Sequence, residues 1–465
     1  MKKTAIIYGT YSGVQKKAVE RLTSIILDGT GEYPSCFRGA DFTDDGGFRC
    51  FYIGTAADNP HIRRLSDVHP DGAEGYSIVV RNDTAVIEGS DDAGVLYGCV
   101  DFADRYLAQV ECTHDSEQYF RDVWNGVMPD FTCTSAPSVK QRGIWTWGHV
   151  IYDYRGFFDN LARLKLNTAV IWNDFVPVNG AEMIAYAHDC NVSVIWGFSW
   201  AWGTNCAAVN LAALDEQTDA ICALYEREYA KLGGDGIYFQ SFTELNQERI
   251  GGVLIAEAVT DFVNNTAARL WEKHPGLELH FGLHATSVAE KLSYIAKVHP
   301  DIRIVWENCG AFPFSYIPRD VENFDETVKF VRRITHLRGE GERFGAVTKG
   351  FTKLDWGCFE HQPGSYAIGG GSERWMRGRA IRKEKIWRYI QAYWLANADR
   401  ALEMVRVMCG ETKGDTCITA LVEDGLFERN IMYPVALYAE MLWDCGGDIK
   451  EMMSRVALRD YVTFA

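Results

Sequence analysis

Gly143-Ile144-Trp145-Thr146-Trp147-Gly148-His149 reads as an apolar strand, and its end decides between two parallel architectures. A doubly wound open sheet carries a glycine-rich phosphate turn after its first strand. Trp145-Thr146-Trp147-Gly148 is nothing like one. From this strand onward the chain alternates strand and helix, the signature of parallel βα units. Further strands are expected at 168–173, 192–200, 236–243, 277–284, 302–308 and 344–355, with an eighth at 435–443. Apolar stripes at helical spacing lie between them: Ile221, Leu224, Tyr225, Tyr229 and Leu232 in one, Val328, Val331, Ile334 and Leu337 in another. Eight such units over about 310 residues fit a (β/α)8 TIM barrel, which commonly runs ~250 residues and lengthens with insertions. The blurred part lies between 344 and 435, where a long helix from about Lys383 and Gly369-Gly370-Gly371 obscure strands seven and eight.

Upstream, residues 1–135 read as a small α+β domain, and 136–141 as the linker that opens the barrel region, 136–465. Ala5–Tyr8 is a short apolar strand. Val19, Leu22, Ile25 and Ile26 form a helical stripe after it, and Cys50-Phe51-Tyr52-Ile53-Gly54-Thr55 is a second strand. Runs 75–80 and 84–89 pair as a hairpin around Arg81-Asn82-Asp83, and Asp91 caps a helix reaching about Leu107. Ile6-Ile7-Tyr8-Gly9-Thr10-Tyr11-Ser12-Gly13 resembles the phosphate loop of a flavodoxin. That loop needs a denser set of hydroxyls and glycines than the Val14-Gln15-Lys16 that follows, so no flavin is expected. The basic start Met1-Lys2-Lys3 is followed by too short an apolar run for a signal peptide; a first strand is the better reading, and prior removal of a signal is the alternative.

The chain has 465 residues, 47% hydrophobic and 24% charged, which fits a globular protein of two or three domains. Its net charge of −16 gives no electrostatic footprint for nucleic acid or an anionic membrane. No apolar run approaches ~18 residues, so no membrane span is expected. The 13 cysteines are odd in number and contain no C-x-x-C pair, which points to reduced thiols in a cytoplasmic protein rather than a disulfide framework or zinc ribbon. A metal is not expected, since no H-x-H or H-E-x-x-H cluster occurs, and no other cofactor is implied. Oligomeric state is open, a homodimer being one assembly the sequence allows.

A barrel's chemistry sits at the C-terminal ends of its strands. Those ends deliver Trp145 and Trp147; Asn173 and Asp174; Trp200 and Trp202; Gln240 to Glu244; His280 and His284; Trp306, Glu307 and Asn308; then Asp355 and Trp356. Tryptophan, carboxylate and amide recur around the ring. That mixture suits a carbohydrate, whose C–H face stacks on aromatic rings while its hydroxyls need polar partners. Glycosidic cleavage needs one carboxylic acid to protonate the leaving oxygen. A second carboxylate attacks or activates water, about 5–5.5 Å away in retaining enzymes and about 6.5–9.5 Å in inverting ones. Glu244 is the first candidate acid, because it closes the apolar run Gly236-Ile237-Tyr238-Phe239 where desolvation raises a carboxyl pKa. Glu307, after Ile302-Arg303-Ile304-Val305-Trp306, and Asp355 are candidate partners. The bland readings are a helix-capping Glu244 and an ion-paired Glu307; His149, His284 and His361 are read as ordinary hydrogen-bonded residues.

Gly75-Tyr76-Ser77-Ile78, Ile87-Glu88-Gly89 and Gly94-Val95-Leu96-Tyr97-Gly98 resemble the small domain that precedes the barrel in β-N-acetylhexosaminidases and α-glucuronidases, glycoside hydrolase families 20 and 67. Arg142-Gly143 and the run Phe157 to Lys165-Leu166-Asn167 resemble their first barrel strand and helix. The resemblance implies exo-action on a terminal sugar, a strand-four Glu as acid, and Arg142 holding sugar hydroxyls. In hexosaminidases an Asp before that Glu orients the acetamido group as an internal nucleophile; Thr243 stands there, so a protein carboxylate such as Glu307 or Asp355 becomes more necessary. The alternatives are an α-glucuronidase-like uronic-acid hydrolase and a non-catalytic carbohydrate-binding barrel. A barrel lyase or isomerase would want a Lys or His base beside a metal, and that ligand spacing is absent.

Overall fold

Eight parallel strands close into a barrel in the computed structural model: β7 (Gln141–Trp147), β8 (Thr168–Trp172), β9 (Ser193–Gly197), β10 (Gly236–Phe239), β11 (Glu278–His284), β12 (Arg303–Glu307), β13 (Phe344–Thr348) and β14 (Thr416–Leu421). The structure describes residues 2–108, 123–147, 151–172, 175–198, 200, 211–242, 247–284, 288–308, 324–349, 351, 364–412, 415–422 and 427–465, with the side chains of Trp147 and Glu411 outside that set. The chain divides into two compact units, one of 1–137 with 188–191 and one of 138–187 with 192–465.

In the first unit a six-stranded sheet is built from β1 (Lys3–Tyr8), β2 (Ser35–Arg38), β3 (Phe48–Thr55), β4 (Tyr76–Arg81), β5 (Thr84–Gly89) and β6 (Phe131–Ser135), in the order β2-β1-β3-β5-β4-β6. Helix α1 (Gly13–Thr30) carries the expected stripe, and α2 (Asp92–Leu107) starts at Asp91, whose carboxylate accepts the Gly94 amide at 2.8 Å. The β4–β5 hairpin turns on Asn82 and Asp83, at φ 51 and 62, the left-handed pair that two-residue hairpins favour. The edge strands β2 and β6 lie outside the expected set. Both are short and alternate half-buried with exposed positions, so neither stands out by hydrophobicity.

In the barrel, β14 closes against β7 with Cys417 opposite Gln141 and Leu421 opposite Trp145. Trp145, Val170, Trp172, Ile195, Tyr238, Val305, Val347 and Leu421 pack together in the interior, which fixes the inward parity of each strand. At the N-terminal end, Arg303 donates to Gln141 Oε1 at 2.7 Å and to Asp415 at 2.9 Å, and His280 pairs with Glu278 at 3.1 Å. His280 therefore belongs to the barrel floor rather than the strand's C-terminal end.

The eighth strand is a correction. The segment expected there, 435–443, is helix α5 (Tyr433–Trp443), and strand eight is β14. Every residue of α5 is buried, so its apolar pattern has no polar face to betray a 3.6 period. Pro434 in the first turn is the signal for a helix start, since its missing N–H has no helical partner there. Upstream, α4 (Glu373–Glu411) is a long helix with a kink at Asn397; downstream, α6 (Ile449–Ala457) is capped by Asp448. Helix α3 (Tyr154–Arg163) follows strand one, capped by Asp153. Among the described residues no helix is long and apolar enough to cross a membrane.

Candidate active site at the barrel mouth

Glu307 is the last residue of β12 and has the inward parity of Val305, so its carboxylate enters the lumen at the C-terminal end. It is 1% exposed. Tyr238 Oη and Gln240 Nε2 both donate to its Oε1, and Lys349 Nζ donates to its Oε2 at 3.1 Å. Lys349 lies just past β13, with 2% exposure, and its ammonium sits 5.9 Å from the Trp145 ring. Burial pushes the Glu307 carboxyl up, but the Lys349 charge and the three hydrogen bonds outweigh it and hold the group below its ordinary value, hence ionised.

The neighbouring strand makes room for this cluster. A methyl group at Gly282 would collide with Tyr238 Oη and Glu307 Oε1, so β11 must carry glycine at that inward position. Below, Trp145, Trp172 and Tyr238 meet with ring centroids 5.5–6.3 Å apart and fill the barrel centre. The cluster thus rests on a buried aromatic plug.

Strand four delivers a second feature. Beyond β10, Gln240 and Ser241 are buried, and Phe242 takes φ +52. Left-handed backbone on a bulky residue is strained, and such strain gathers at functional sites. Phe242 is also buried, 6.3 Å from the Phe262 ring, so packing holds it there. Thr243 and the candidate acid Glu244 follow directly.

Of the expected site residues, Glu307 lies in the lumen. Glu244, Asp355, Asn173, Asp174, Trp202 and Trp356 lie outside the described residues, as do His149 and His361. Trp147 ends β7. Three residues sit elsewhere than expected. Arg142 alternates with the inward Trp145 and faces the helix layer, where its guanidinium donates to the carbonyls of Lys165 at 2.9 Å, Val139 at 2.7 Å and Lys140 at 3.2 Å, over the Trp443 ring. Trp306, between Val305 and Glu307, likewise points outward and is 1% exposed. Trp200 stacks on outward-facing Phe239 at 3.6 Å, and Phe239 on Phe281 at 5.1 Å. All three pack the barrel against its surroundings instead of lining the lumen. Of the residues that reach Glu307, Gln240 stands among the strand-end residues, whereas Tyr238 and Lys349 were not singled out, although counting by twos from Gly236 and Val347 finds both.

Glu428 was also missed. It lies after β14, at the C-terminal end of the barrel, and is 5% exposed, its Oε1 accepting the Tyr152 amide at 2.9 Å. Burial, aided by the Asp153 charge, pushes it up to about 7. Its bonds tie down the segment before α3; no described contact joins it to Glu307.

No described group of His, Cys, Asp and Glu is arranged to hold a metal. At the end of β1, a Cβ at Gly9 would collide with the Asp58 carboxylate, which accepts the Thr55 amide at 2.8 Å.

The architecture is a TIM barrel, a closed ring of eight parallel strands, together with a unit built on a six-stranded sheet. No protein-family model matches the chain, and no curated protein matches it in sequence. Among solved structures, the β-N-acetylhexosaminidase from Bacteroides fragilis NCTC 9343 aligns with a TM-score of 0.56 at 11% identity, covering 100% of this chain and 93% of that one. CpGH84D gives 0.56 at 12% identity, over 97% of this chain and 68% of that one. A GH138 enzyme targeting pectin rhamnogalacturonan II gives 0.56 at 12% identity over 97% of this chain, which spans 65% of that enzyme's length. At such identities the likeness is one of fold.

Proposed function

We propose that the chain is a glycoside hydrolase acting on a terminal sugar, a hexosaminide or a related glycoside. The observation that carries this reading is the left-handed Phe242, buried at the end of strand four two residues before Glu244, with Gln240 tethered to the ionised Glu307. Strain at Phe242 and the tether on Gln240 hold the end of strand four in place, which supports Glu244, two residues further along the sequence, as a preorganised acid. In this reading Glu244 protonates the leaving oxygen. Glu307, with both oxygens engaged, acts as a positioning residue, and Asp355 is the carboxylate that attacks or activates water. The likeness in fold to three glycoside hydrolases supports the same class.

A second reading is a barrel that binds sugar without cleaving it. Neutralisation of Glu307 by Lys349 and Thr243 in place of an Asp favour it. A panel of aryl glycosides, N-acetylhexosaminides and glucuronides among them, separates the two. The hydrolase reading expects turnover of at least one member and a drop of about 10²–10⁴-fold in Glu244→Gln. Saturable binding with no hydrolysis would establish the binding barrel, and unchanged turnover in the variant would remove Glu244 from the role.

A further inference from the structure

Helix α4 opens with a strongly basic stretch. Seven of residues 374–388 are arginine or lysine and one, Glu384, is acidic, in a chain of net charge −16. Trp375, Gly378, Arg382, Lys385 and Tyr389 recur at intervals of three and four, so they share one face of the helix over about 21 Å. That face is open to solvent: Trp375 is 37% exposed, Tyr389 46%, and Arg382 and Lys385 are exposed. Neither cation makes an ion pair or hydrogen bond among the described residues, nor does exposed Arg374, which flanks them. The nearby acids are engaged, Glu384 by Arg388 and Glu373 by Arg429. A Cβ at Gly378 would lie 3.4 Å from Arg382 Nη1, so that guanidinium lies back over the glycine, on the side of Trp375. The upper end of the face adjoins the barrel mouth. The Trp375 ring sits 4.3 Å from that of Tyr152, with the Arg379 guanidinium 5.2 Å away. Tyr152 and Glu428, which its amide binds, lie in the connections after strands one and eight, at the end of the barrel that holds Glu307.

We propose that this face of α4 binds a polyuronate, a glycan with a carboxylate on each ring, beside the barrel mouth. Such a chain offers both things the face can hold. Its C–H faces stack on the exposed rings of Trp375 and Tyr389, and its carboxylates pair with the Arg382 guanidinium and the Lys385 ammonium between them. The positive charge is local. Nucleic acid and anionic membranes spread dense charge over a wider surface, and the acidic remainder of the chain repels them. A second copy related by a two-fold axis would set Arg382 and Lys385 against their own kind. The preference for a glycan over an acidic peptide rests on the glycosidase reading of the neighbouring site.

The test uses the full chain, wild type and Glu244→Gln in parallel so that turnover does not enter, with fluorescently labelled alginate oligosaccharides as probe and polarisation as readout. Saturable binding is expected in both, with Kd rising about tenfold or more between ~20 and ~200 mM salt. Arg382→Gln/Lys385→Gln should raise Kd about 5–30-fold, and Trp375→Ala should raise it as well. Arg63→Gln/Lys231→Gln removes the same charge from exposed positions elsewhere and should change Kd less than about twofold. No alginate binding, equal losses in the two charge variants, or binding of neutral dextran, RNA, phosphatidylserine vesicles or polyglutamate as tight as that of alginate would overturn the proposal. Alginate binding by a protein that cleaves no glycoside would support this surface and remove the hydrolase reading; cleavage without alginate binding would do the reverse.

Discussion

Replacing Lys349 by methionine keeps most of the side-chain volume and removes the charge that faces Glu307 at 3.1 Å. Both groups are at most 2% exposed, so water cannot take the ammonium's place. Tyr238 and Gln240 still donate to Oε1, but Oε2 loses its charged partner. Breaking a buried pair from one side typically costs about 3–5 kcal/mol, and the two surviving hydrogen bonds point to the lower end. The pH dependence reverses sign. In the wild type the depressed Glu307 pKa adds stability above its unfolded value of about 4.5, lost as pH falls through the folded pKa. In Lys349→Met burial dominates, the folded pKa rises, and stability is lost as pH increases. Urea unfolding should therefore show a deficit of about 3 kcal/mol or more at pH 8 that shrinks at pH 5. Adding Glu307→Gln should recover about half of it or more, because the double variant buries no unpaired charge. A loss below about 1 kcal/mol with no pH dependence, or strictly additive effects, would refute the electrostatic account of this cluster.

Two further outcomes follow from the same structure. Glu428→Gln should be more stable than wild type at pH 8 by roughly 1–3 kcal/mol and equal to it near pH 4. The carboxyl raised to about 7 contributes stability that is complete below its unfolded value and lost as pH rises through 7; urea midpoints at the two pH values check this. Arg142→Met should cost about 1–3 kcal/mol, since it strands the carbonyls of Lys165, Val139 and Lys140. It should leave KM for any cleaved glycoside unchanged, which a Michaelis series on the folded variant would reveal.

The barrel was legible because short apolar runs, which hold Trp145, Val170 and Tyr238, alternate with striped helices along the chain. Strand eight was not. The helix Tyr433–Trp443 is buried on all sides, and periodicity is silent where no face meets water. Residue type also drew attention to Arg142, Trp200 and Trp306 over their positions. Arg142 and Trp306 sit on strands, where parity decides which side chains enter the lumen, and a shift of one residue turns a side chain from sugar to helix. Glu307 was found by its place at the end of an apolar strand. Its partner Lys349 lies beyond the regular strand, where only the inward position of Val347 points to it.

The central claim is that Glu244 is the acid of a glycosidase, and the dependence of its loss on leaving group tests this most directly. For a glycoside that the wild type cleaves, kcat/KM of Glu244→Gln would be measured on a methylumbelliferyl and a dinitrophenyl derivative. A missing acid matters only where the departing oxygen needs a proton. The account predicts a loss of about 10²–10⁴-fold on the first and less than about tenfold on the second. Equal losses on both substrates, or no loss on either, would contradict it.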